Sequence, residues 1–352
     1  MSVPESDQIQ FLLNVQRLLA EGQFTATYKF ALLMALGDLS VECGDDSGGA
    51  LDLSAVTIAE KFVEYYWRQT APFLGQSVLS QNKGRQPVVI TLLAAARERH
   101  GDNLAAAKKE KGAWGSLVRA VALNVRQMPL RYLQNVRGDT LAFLYDSPGE
   151  NTSPATIRLY PGVAFCFRRF HELIAELVRG VWVRWIHQQN LSVIGDRQDL
   201  HSFLFGTERS NLGSVREVLQ QIQSKCFYCE RQFRAVPAVD HFIPWALYPL
   251  DLGHNFVLAH AECNSQKRDL LAAEEHLAAW EERNRQHDGE LRVGFDRKGV
   301  LYNLPSTIHI ARWAYSRAAT TGARAWKEAN QVAELTGIWS SILVESPVSG
   351  PR

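Results

Sequence analysis

The sequence predicts a mainly α-helical protein that carries one small α+β insertion. Apolar residues recur at helical intervals through most of the first 140 residues and again after residue 300. Short β-like runs are few, and three of the five cysteines fall between residues 226 and 263. A length of 352 residues suffices for one large domain or for two to three small ones. From the patterns along the chain we expect a helical N-terminal domain at 1–210, a small module at 211–290 and a helical extension at 291–352.

Three amphipathic helices are predicted to open the N-terminal domain. The first contains IQFLLNVQRLLAEG and stops at Gly22, and the second covers TYKFALLMALGDLSVE. The third begins near Ser54 and ends before Pro72, after a loop predicted for ECGDDSGGALD. Two or three more helices are expected between Val88 and Asn135.

The segments after residue 140 are predicted to contain both strands and helices. The runs TLAFLYD and ATIRLYP flank the turn-rich SPGENTSP, which predicts a β-hairpin. A long helix is expected from about Val163 to Gln189. From residue 270, LLAAEEHLAAWEERNRQ predicts a helix that ends before Asp288 and Gly289, and one or two helices are expected from about residue 300 to residue 335.

The composition, 46% hydrophobic and 21% charged, is that of a soluble globular protein. The chain has no apolar run of membrane-spanning length, and its N-terminus is acidic where an export signal would be positively charged. We therefore expect a cytoplasmic protein with no membrane partner.

Positive charge is concentrated in one part of the chain. From Lys83 to Arg137 there are eleven Lys or Arg against three Asp or Glu, a local balance of +8, whereas Ser224 to Glu290 has seven against eleven, a balance of −4. The basic stretch is a candidate site for an anionic polymer such as nucleic acid, with Lys108, Lys109 and Lys111 as candidate contacts. The alternative is an ordinary solvated helix face.

The segment KCFYCERQFRAVPAVDHFIPWALYPLDLGHNFVLAHAECNSQKRD, residues 225–269, is called the motif block below. Cys226 and Cys229 form a CxxC pair, and thirty residues further on His260 and Cys263 form HxxC. Two such pairs supply the four ligands of a closed, structural Zn²⁺ site. The alternative is that the thiols pack as small hydrophobic groups and His260 lies at the surface. Cys43 and Cys166 stand alone and are expected to be buried.

A second group of polar residues lies between and just after these pairs. Asp240 and His241 occur in VDHFIPW, whose alternation suits a strand, and Asn264 follows Cys263 in the first turn of a predicted helix. Oxygen ligands from Asp240 and Asn264, completed by water and a phosphate oxygen, suit Mg²⁺. The sequence therefore predicts a second metal site, distinct from the zinc site.

The order CxxC, VDHFIP, HNFVLAHAECNSQK resembles the HNH endonuclease family, whose fold is a ββα-metal finger. The three positions of the family name read His241, Asn255 and Asn264, with thirteen and eight residues between them. Asn at the third position departs from the named pattern but also occurs in active members. The resemblance covers 45 to 60 residues and implies a zinc-stapled finger between helical parts.

The resemblance also implies roles for individual residues. His241 is the general base, and Asp240 and Asn264 hold one Mg²⁺, Mn²⁺ or similar divalent ion at the scissile phosphate. Asn255 fastens the loop that orients His241. Lys267 matches a basic position of the family, and with Arg268 it is expected to contact DNA. The implied activity is hydrolysis of double-stranded DNA, one strand nicked per site.

Other functions are compatible with the same residues. The finger could bind nucleic acid or a protein partner without catalysis, or it could cleave RNA. Large helical extensions around one such module also resemble effectors of bacterial restriction or anti-phage defence, in which they dock protein partners of the system.

Overall fold

The computed structural model describes residues 3–84, 86–149, 152–195, 200–206 and 212–344. The chain divides into two compact units, Met1–Gly206 and Thr207–Arg352. Both are mainly helical, with small antiparallel two-stranded sheets, as the sequence predicts.

The first unit is mostly helical. Its helices are α1 (Glu5–Glu21), α2 (Tyr28–Cys43), α3 (Ala55–Gln69), α4 (Val88–His100), α5 (Leu104–Lys109), α6 (Lys111–Gln127), α7 (Pro129–Tyr132), α8 (Val163–Arg169), α9 (His171–Gln189), α10 (Leu191–Ile194) and α11 (Leu200–Phe205). Its strands are β1 (Leu51–Ser54), β2 (Asn135–Val136), β3 (Asp139–Thr140) and β4 (Thr156–Leu159).

Helix α2 forms the centre of this unit, because it is apolar around most of its circumference. It packs against α3, α8 and α9. Around it, Phe30, Tyr66 and Trp182 are fully buried with their rings in contact. A helix that is apolar on all sides is stable only when neighbouring elements cover it.

The three predicted opening helices are confirmed. Ser54 caps α3, since its hydroxyl accepts a hydrogen bond from the Thr57 amide at 3.0 Å. Residues 88–132 hold four helices, α4 to α7, rather than two or three. The predicted long helix is interrupted at Phe170, although the hydrogen bonds from Phe170 N to Cys166 O and from Ile174 N to Phe170 O bridge the break.

The hairpin predicted around SPGENTSP is found only in part, because the two runs that flank it meet in one isolated antiparallel bridge, and residues 150 and 151 lie outside the described part of the chain. Strand β4, within ATIRLYP, pairs antiparallel with β1, so that Leu53 lies opposite Ile157. TLAFLYD contributes an isolated bridge from Tyr145 to Leu159. The end of the predicted ECGDDSGGALD loop is thus a strand. Burial of Leu53 and Ile157 stabilises this pairing of two distant segments, which the local turn composition does not predict.

The second unit combines helices with two small sheets. It contains α12 (Leu212–Leu219), β5 (Ala238–His241), a 3₁₀ turn (Gly253–Asn255), β6 (Phe256–Ala259), α13 (Ala261–Lys267), α14 (Glu274–Lys298), α15 (Leu304–Thr321), β7 (Ala325–Glu328), β8 (Gln331–Ala333) and α16 (Trp339–Ile342). Buried apolar residues of α12, β5, β6 and α14 form a common core.

Helix α14 continues through Asp288 and Gly289 and ends at Lys298, so the predicted end before this pair is wrong. A glycine inside a helix costs only about 1 kcal/mol, and burial of Leu291 and Phe295 outweighs that cost. Close packing explains Gly294, where a Cβ would lie 2.6 Å from Val218. The helix therefore continues across position 290, where the sequence predicts the end of the small module.

In the C-terminal part, helix α15 ends at Thr321. Gly322, with φ of 65°, ends α15 in a left-handed turn. The segment AWKEANQVA then forms the hairpin β7–β8, so the stretch predicted to hold one or two helices contains one helix, α15, followed by a hairpin. Trp326 is buried, and its backbone pairs with Leu271 and Ala273.

No helix among the described residues has both the length and the apolar character needed to cross a lipid bilayer.

Candidate active site and metal centre

The motif block folds as a hairpin followed by a helix. Strand β5 pairs antiparallel with β6, so that Asp240 lies opposite Val257 and His241 opposite Phe256. Helix α13 follows β6 after a single residue, His260, and packs against β5. This order brings the two sequence pairs of cysteine and histidine ligands to the same end of the hairpin.

Cys226, Cys229, His260 and Cys263 converge on one point and could hold a metal ion. Their ligand atoms all lie within 4.8 Å of one another. Cys229 Sγ and His260 Nδ1 are 3.3 Å apart, the spacing expected for neighbouring ligands of a tetrahedral ion with bonds of about 2.0–2.3 Å. His260 Nε2 lies 3.2 Å from the Gln232 carbonyl, which suits a ligand that coordinates through Nδ1.

The electrostatics of this Cys₃His group favour a cation. Burial would raise the pKa of the Cys226 thiol, but backbone amides of Cys229, His260 and Tyr228 outweigh burial and lower that pKa. Burial and the nearby Cys226 and Cys229 raise the pKa of Cys263 to about 12. A bound cation would stabilise the thiolate forms of these closely spaced cysteines. Three thiolates and one imidazole are the donor set typical of Zn²⁺.

Asp240 is buried at the centre of a polar network. Its Oδ2 accepts a hydrogen bond from the Tyr228 hydroxyl at 2.5 Å and lies 3.3 Å from Lys267 Nζ. Burial and the neighbouring Asp240 raise the pKa of Tyr228 well above its usual range, so the phenol stays a donor. Among the described residues, Oδ1 of Asp240 has no hydrogen-bond partner.

Lys267 lies inside the second unit. Its side chain is 0% exposed, and its ammonium group donates to the His241 carbonyl at 2.9 Å as well as pairing with Asp240. Burial lowers the pKa of Lys267, although Asp240 opposes this effect. The predicted contact between Lys267 and a DNA backbone is therefore wrong: the ammonium group is fully enclosed and links α13 to β5.

His241 forms a pair with a carboxylate that the sequence analysis did not single out. Its Nε2 lies 2.6 Å from Asp251 Oδ1, and the ring packs against Phe256 with centroids 4.7 Å apart. The His241 side chain is 18% exposed, whereas the Asp251 side chain is 9% exposed. His241 is thus held by a largely buried partner while part of its ring faces solvent.

Asn255 ties the loop after β5 to the 3₁₀ turn. Its Oδ1 accepts from the Ile243 amide at 2.8 Å, and its Nδ2 donates to the Ile243 carbonyl at 2.9 Å. The Asn255 carbonyl also accepts from the Phe242 amide. These bonds place the predicted loop-fastening residue directly on the segment that follows His241.

Asn264 lies half-buried on α13, three residues before Lys267. Side chains three residues apart share one face of a helix, and Lys267 shows that this face is turned toward Asp240. The amide group of the Asn264 side chain has no hydrogen-bond partner among the described residues. It is therefore available to a ligand on the Asp240 side of the helix.

The candidate DNA contacts outside this network differ in availability. Arg268, Lys109 and Lys111 are exposed, but Lys108 pairs with Glu64 at 3.0 Å and lies over the Trp114 ring. Part of the basic stretch is likewise used within the first unit: Arg97 pairs with Asp102 and Arg137 with Glu21. The sequence balance of +8 thus overstates the free positive charge there.

Two residues of this network were not predicted from the sequence. Tyr228 lies inside the CxxC pair, and its phenol reaches across to Asp240. Asp251 lies ten residues after His241 in an apolar stretch, LYPLDLG. An isolated acid among apolar residues was the available signal, because such a group is rarely buried without a partner.

The comparisons with known proteins concern the other part of the chain. A family model described as a domain of unknown function, DUF8808, matches residues 8–204. No curated protein and no solved structure matches the chain. The match lies in the helical first unit and covers more than half of the sequence, whereas the motif block lies outside it. The chain therefore belongs to the DUF8808 family.

Proposed function

We propose that this chain is a metal-dependent HNH-type DNA endonuclease. The observation that carries the proposal is that Asp240 and His241 are consecutive residues of β5 and that α13, which bears Asn264, packs against this strand. The order of a hairpin followed by a helix, with the Cys₃His group beside them, supports the same proposal. In this proposal the Cys₃His group holds a structural Zn²⁺.

Asp240 and Asn264 are the proposed ligands of a second, catalytic cation. Tyr228 and Lys267 occupy Oδ2 of Asp240, which leaves Oδ1 as the ligand atom, and the Asn264 side-chain oxygen is the second. Hard oxygen donors of this kind suit Mg²⁺ or Mn²⁺. A divalent ion held there would stabilise the charge that develops on the phosphate and on the leaving 3′ oxygen.

His241 is the proposed general base. In its neutral form the imidazole takes a proton from water as the water oxygen bonds to phosphorus and the bond from phosphorus to the 3′ oxygen breaks. Partial exposure leaves the ring accessible to substrate. Asn255 contributes by fixing the backbone after His241. The products would carry 5′-phosphate and 3′-hydroxyl ends.

Double-stranded DNA is the proposed substrate, with one strand cut per site. The exposed Arg268, Lys109 and Lys111 are the proposed phosphate contacts. The segment from Ser224 to Glu290, which contains the site, itself offers little positive charge, because its balance is −4. A role in bacterial anti-phage defence, with protein partners that restrain or activate the nuclease, extends this proposal.

One observation favours a second function, a zinc-stapled scaffold that binds nucleic acid or a protein without catalysis. The ammonium group of Lys267 already neutralises Asp240 in the interior, which weakens the attraction between Asp240 and a divalent cation. On this alternative the network around Asp240 is structural. The two functions differ in whether the chain breaks phosphodiester bonds.

Plasmid nicking by the full-length chain distinguishes the two. Supercoiled plasmid is incubated with the zinc-loaded protein and Mg²⁺ or Mn²⁺, with chelator controls and structured RNA as a competitor. We expect nicked circles, and a loss of at least about 100-fold in rate for His241→Ala. The matched control is His287→Ala, a histidine of α14 that pairs with the exposed Glu290. An intact plasmid with every metal, or equal cutting by His241→Ala, contradicts catalysis.

A further inference from the structure

The pair of His241 and Asp251 determines which ring nitrogen is free. Nε2 lies 2.6 Å from Asp251 Oδ1, and an ionised carboxylate can only accept a hydrogen bond. With Asp251 ionised, Nε2 carries the proton, and the lone pair of the neutral ring is on Nδ1. Among the described residues, Nδ1 has no hydrogen-bond partner.

We propose that Asp251 is a positioning residue of the nuclease site, which holds His241 in the Nε2–H tautomer so that Nδ1 is the basic atom. The inference rests on the proposed function and deepens it. A histidine without such a partner exchanges between its two tautomers and rotates about its side-chain bonds. With the carboxylate in place, one nitrogen is presented to the attacking water in each turnover.

Asp251 is itself rigidly supported. Leu252 on its C-terminal side is buried, and the Leu252 carbonyl accepts from the Asn255 amide at 2.8 Å. The next residue, Gly253, donates its amide to the Leu301 carbonyl at 2.7 Å. A Cβ at Gly253 would lie 2.5 Å from the Phe295 ring, so this close approach requires glycine.

Helix α14 clamps the 3₁₀ turn that follows Asp251. The His254 carbonyl accepts hydrogen bonds from Trp280 Nε1 at 3.1 Å, Arg283 Nη2 at 2.8 Å and Asn284 Nδ2 at 3.2 Å. Three donors on one carbonyl fix the backbone of the turn. The carboxylate that holds His241 is thus anchored to the longest helix of the second unit, as orientation of a general base requires.

The charge of Asp251 has a second consequence. When Nδ1 takes the proton from water, the ring becomes an imidazolium cation, and a buried carboxylate 2.6 Å away stabilises that cation. Because Asp251 is only 8% exposed, it is not placed to contact DNA. We therefore expect its removal to lower kcat and to leave KM nearly unchanged.

The test compares Asp251→Ala and Asp251→Asn with the wild type in steady-state cleavage of a short duplex with Mg²⁺. We expect kcat to fall about 10-fold to 100-fold in both variants, as for other partners that orient a functional histidine. Asparagine preserves the shape of the site, but its amide can donate to Nε2 and favour the wrong tautomer. Asp296→Asn, an exposed carboxylate of the same unit, is the control.

Nitrogen-15 NMR of the full chain, with His241 assigned by comparison with His241→Ala, measures the tautomer independently of cleavage. We expect Nε2–H in the wild type and a mixture in Asp251→Ala. Nδ1–H in the wild type, full activity of Asp251→Asn, or faster cutting by Asp251→Ala overturns the inference. A wild type without nuclease activity but with the Nε2–H tautomer refutes the proposed function and keeps the geometric assignment.

Discussion

Replacing Lys267 by methionine tests whether this residue belongs to the interior of the site or to its DNA-binding surface. Methionine keeps most of the apolar stem but removes the ammonium group. Asp240 would then keep a buried carboxylate with Tyr228 as its remaining side-chain donor. The His241 carbonyl would also lose the hydrogen bond that it accepts at 2.9 Å.

The magnitude follows from the geometry. At 3.3 Å, two unit charges attract by about 5 kcal/mol at an effective dielectric constant of about 20, and desolvation offsets part of this. Removing one member of a buried ion pair costs about 3–5 kcal/mol, because the remaining charge is left unpaired. We therefore expect Lys267→Met to lower the free energy of unfolding of the second unit by about 3 kcal/mol or more.

The assay follows zinc release from the Cys₃His group during urea unfolding, since this signal reports on the second unit. With a slope of about 2 kcal/mol per molar urea, the midpoint should fall by about 1.5 M. Arg268→Met, the exposed neighbour, should shift it by less than about 0.3 M. Adding Asp240→Asn to Lys267→Met should recover part of the loss, because the unpaired charge disappears. An unchanged midpoint in Lys267→Met refutes the buried pair.

Two further predictions concern the metal centre and the response to acid. The wild type should bind one zinc per chain, measured by atomic absorption, and Cys263→Ser should lose it whereas the exposed Cys43→Ser should not; retention by Cys263→Ser would contradict the assignment. Burial and the positive charges of Arg283 and Arg292 lower the pKa of His254 to about 4, although the nearby Asp288 opposes this effect. The unfolded state therefore binds more protons between pH 6.5 and 4, and stability falls as the pH drops through this window, by about 2 kcal/mol at pH 5. His254→Gln should remove that part of the pH dependence in urea titrations at pH 7 and pH 5, and an equal pH dependence in the variant would refute it.

Local patterns predicted most of the helices but not the sheets. The spacing of apolar residues and the cap at Ser54 were sufficient for α1, α2 and α3. The pairing of β1 with β4 joins segments about one hundred residues apart, and no local signal encodes such a contact. The end of α14 was misplaced for a related reason: the turn residues Asp288 and Gly289 are outweighed by burial of Leu291 and Phe295.

At the candidate site, the spacing of the motif residues predicted which side chains meet better than it predicted how buried each side chain is. The two pairs of zinc-ligand candidates do meet, and Asn255 does fasten the segment after His241. What spacing does not convey is burial. Lys267 was expected at the surface and is enclosed, whereas Cys166 is buried as expected and Cys43 is exposed. Partners supplied by other loops, such as Asp251, emerge only once the chain is folded.

Asp240, His241 and Asn264 are proposed to form one site that hydrolyses phosphodiester bonds. The most direct measurement is the single-turnover nicking rate with Mg²⁺ for the wild type, His241→Ala, Asn264→Ala and the double variant. We expect nicked DNA with 5′-phosphate ends from the wild type and a loss of at least about 100-fold in each single variant. The double variant should be little slower than the slower single one, since residues that act as a unit are not additive. A rate that neither substitution changes would contradict the claim.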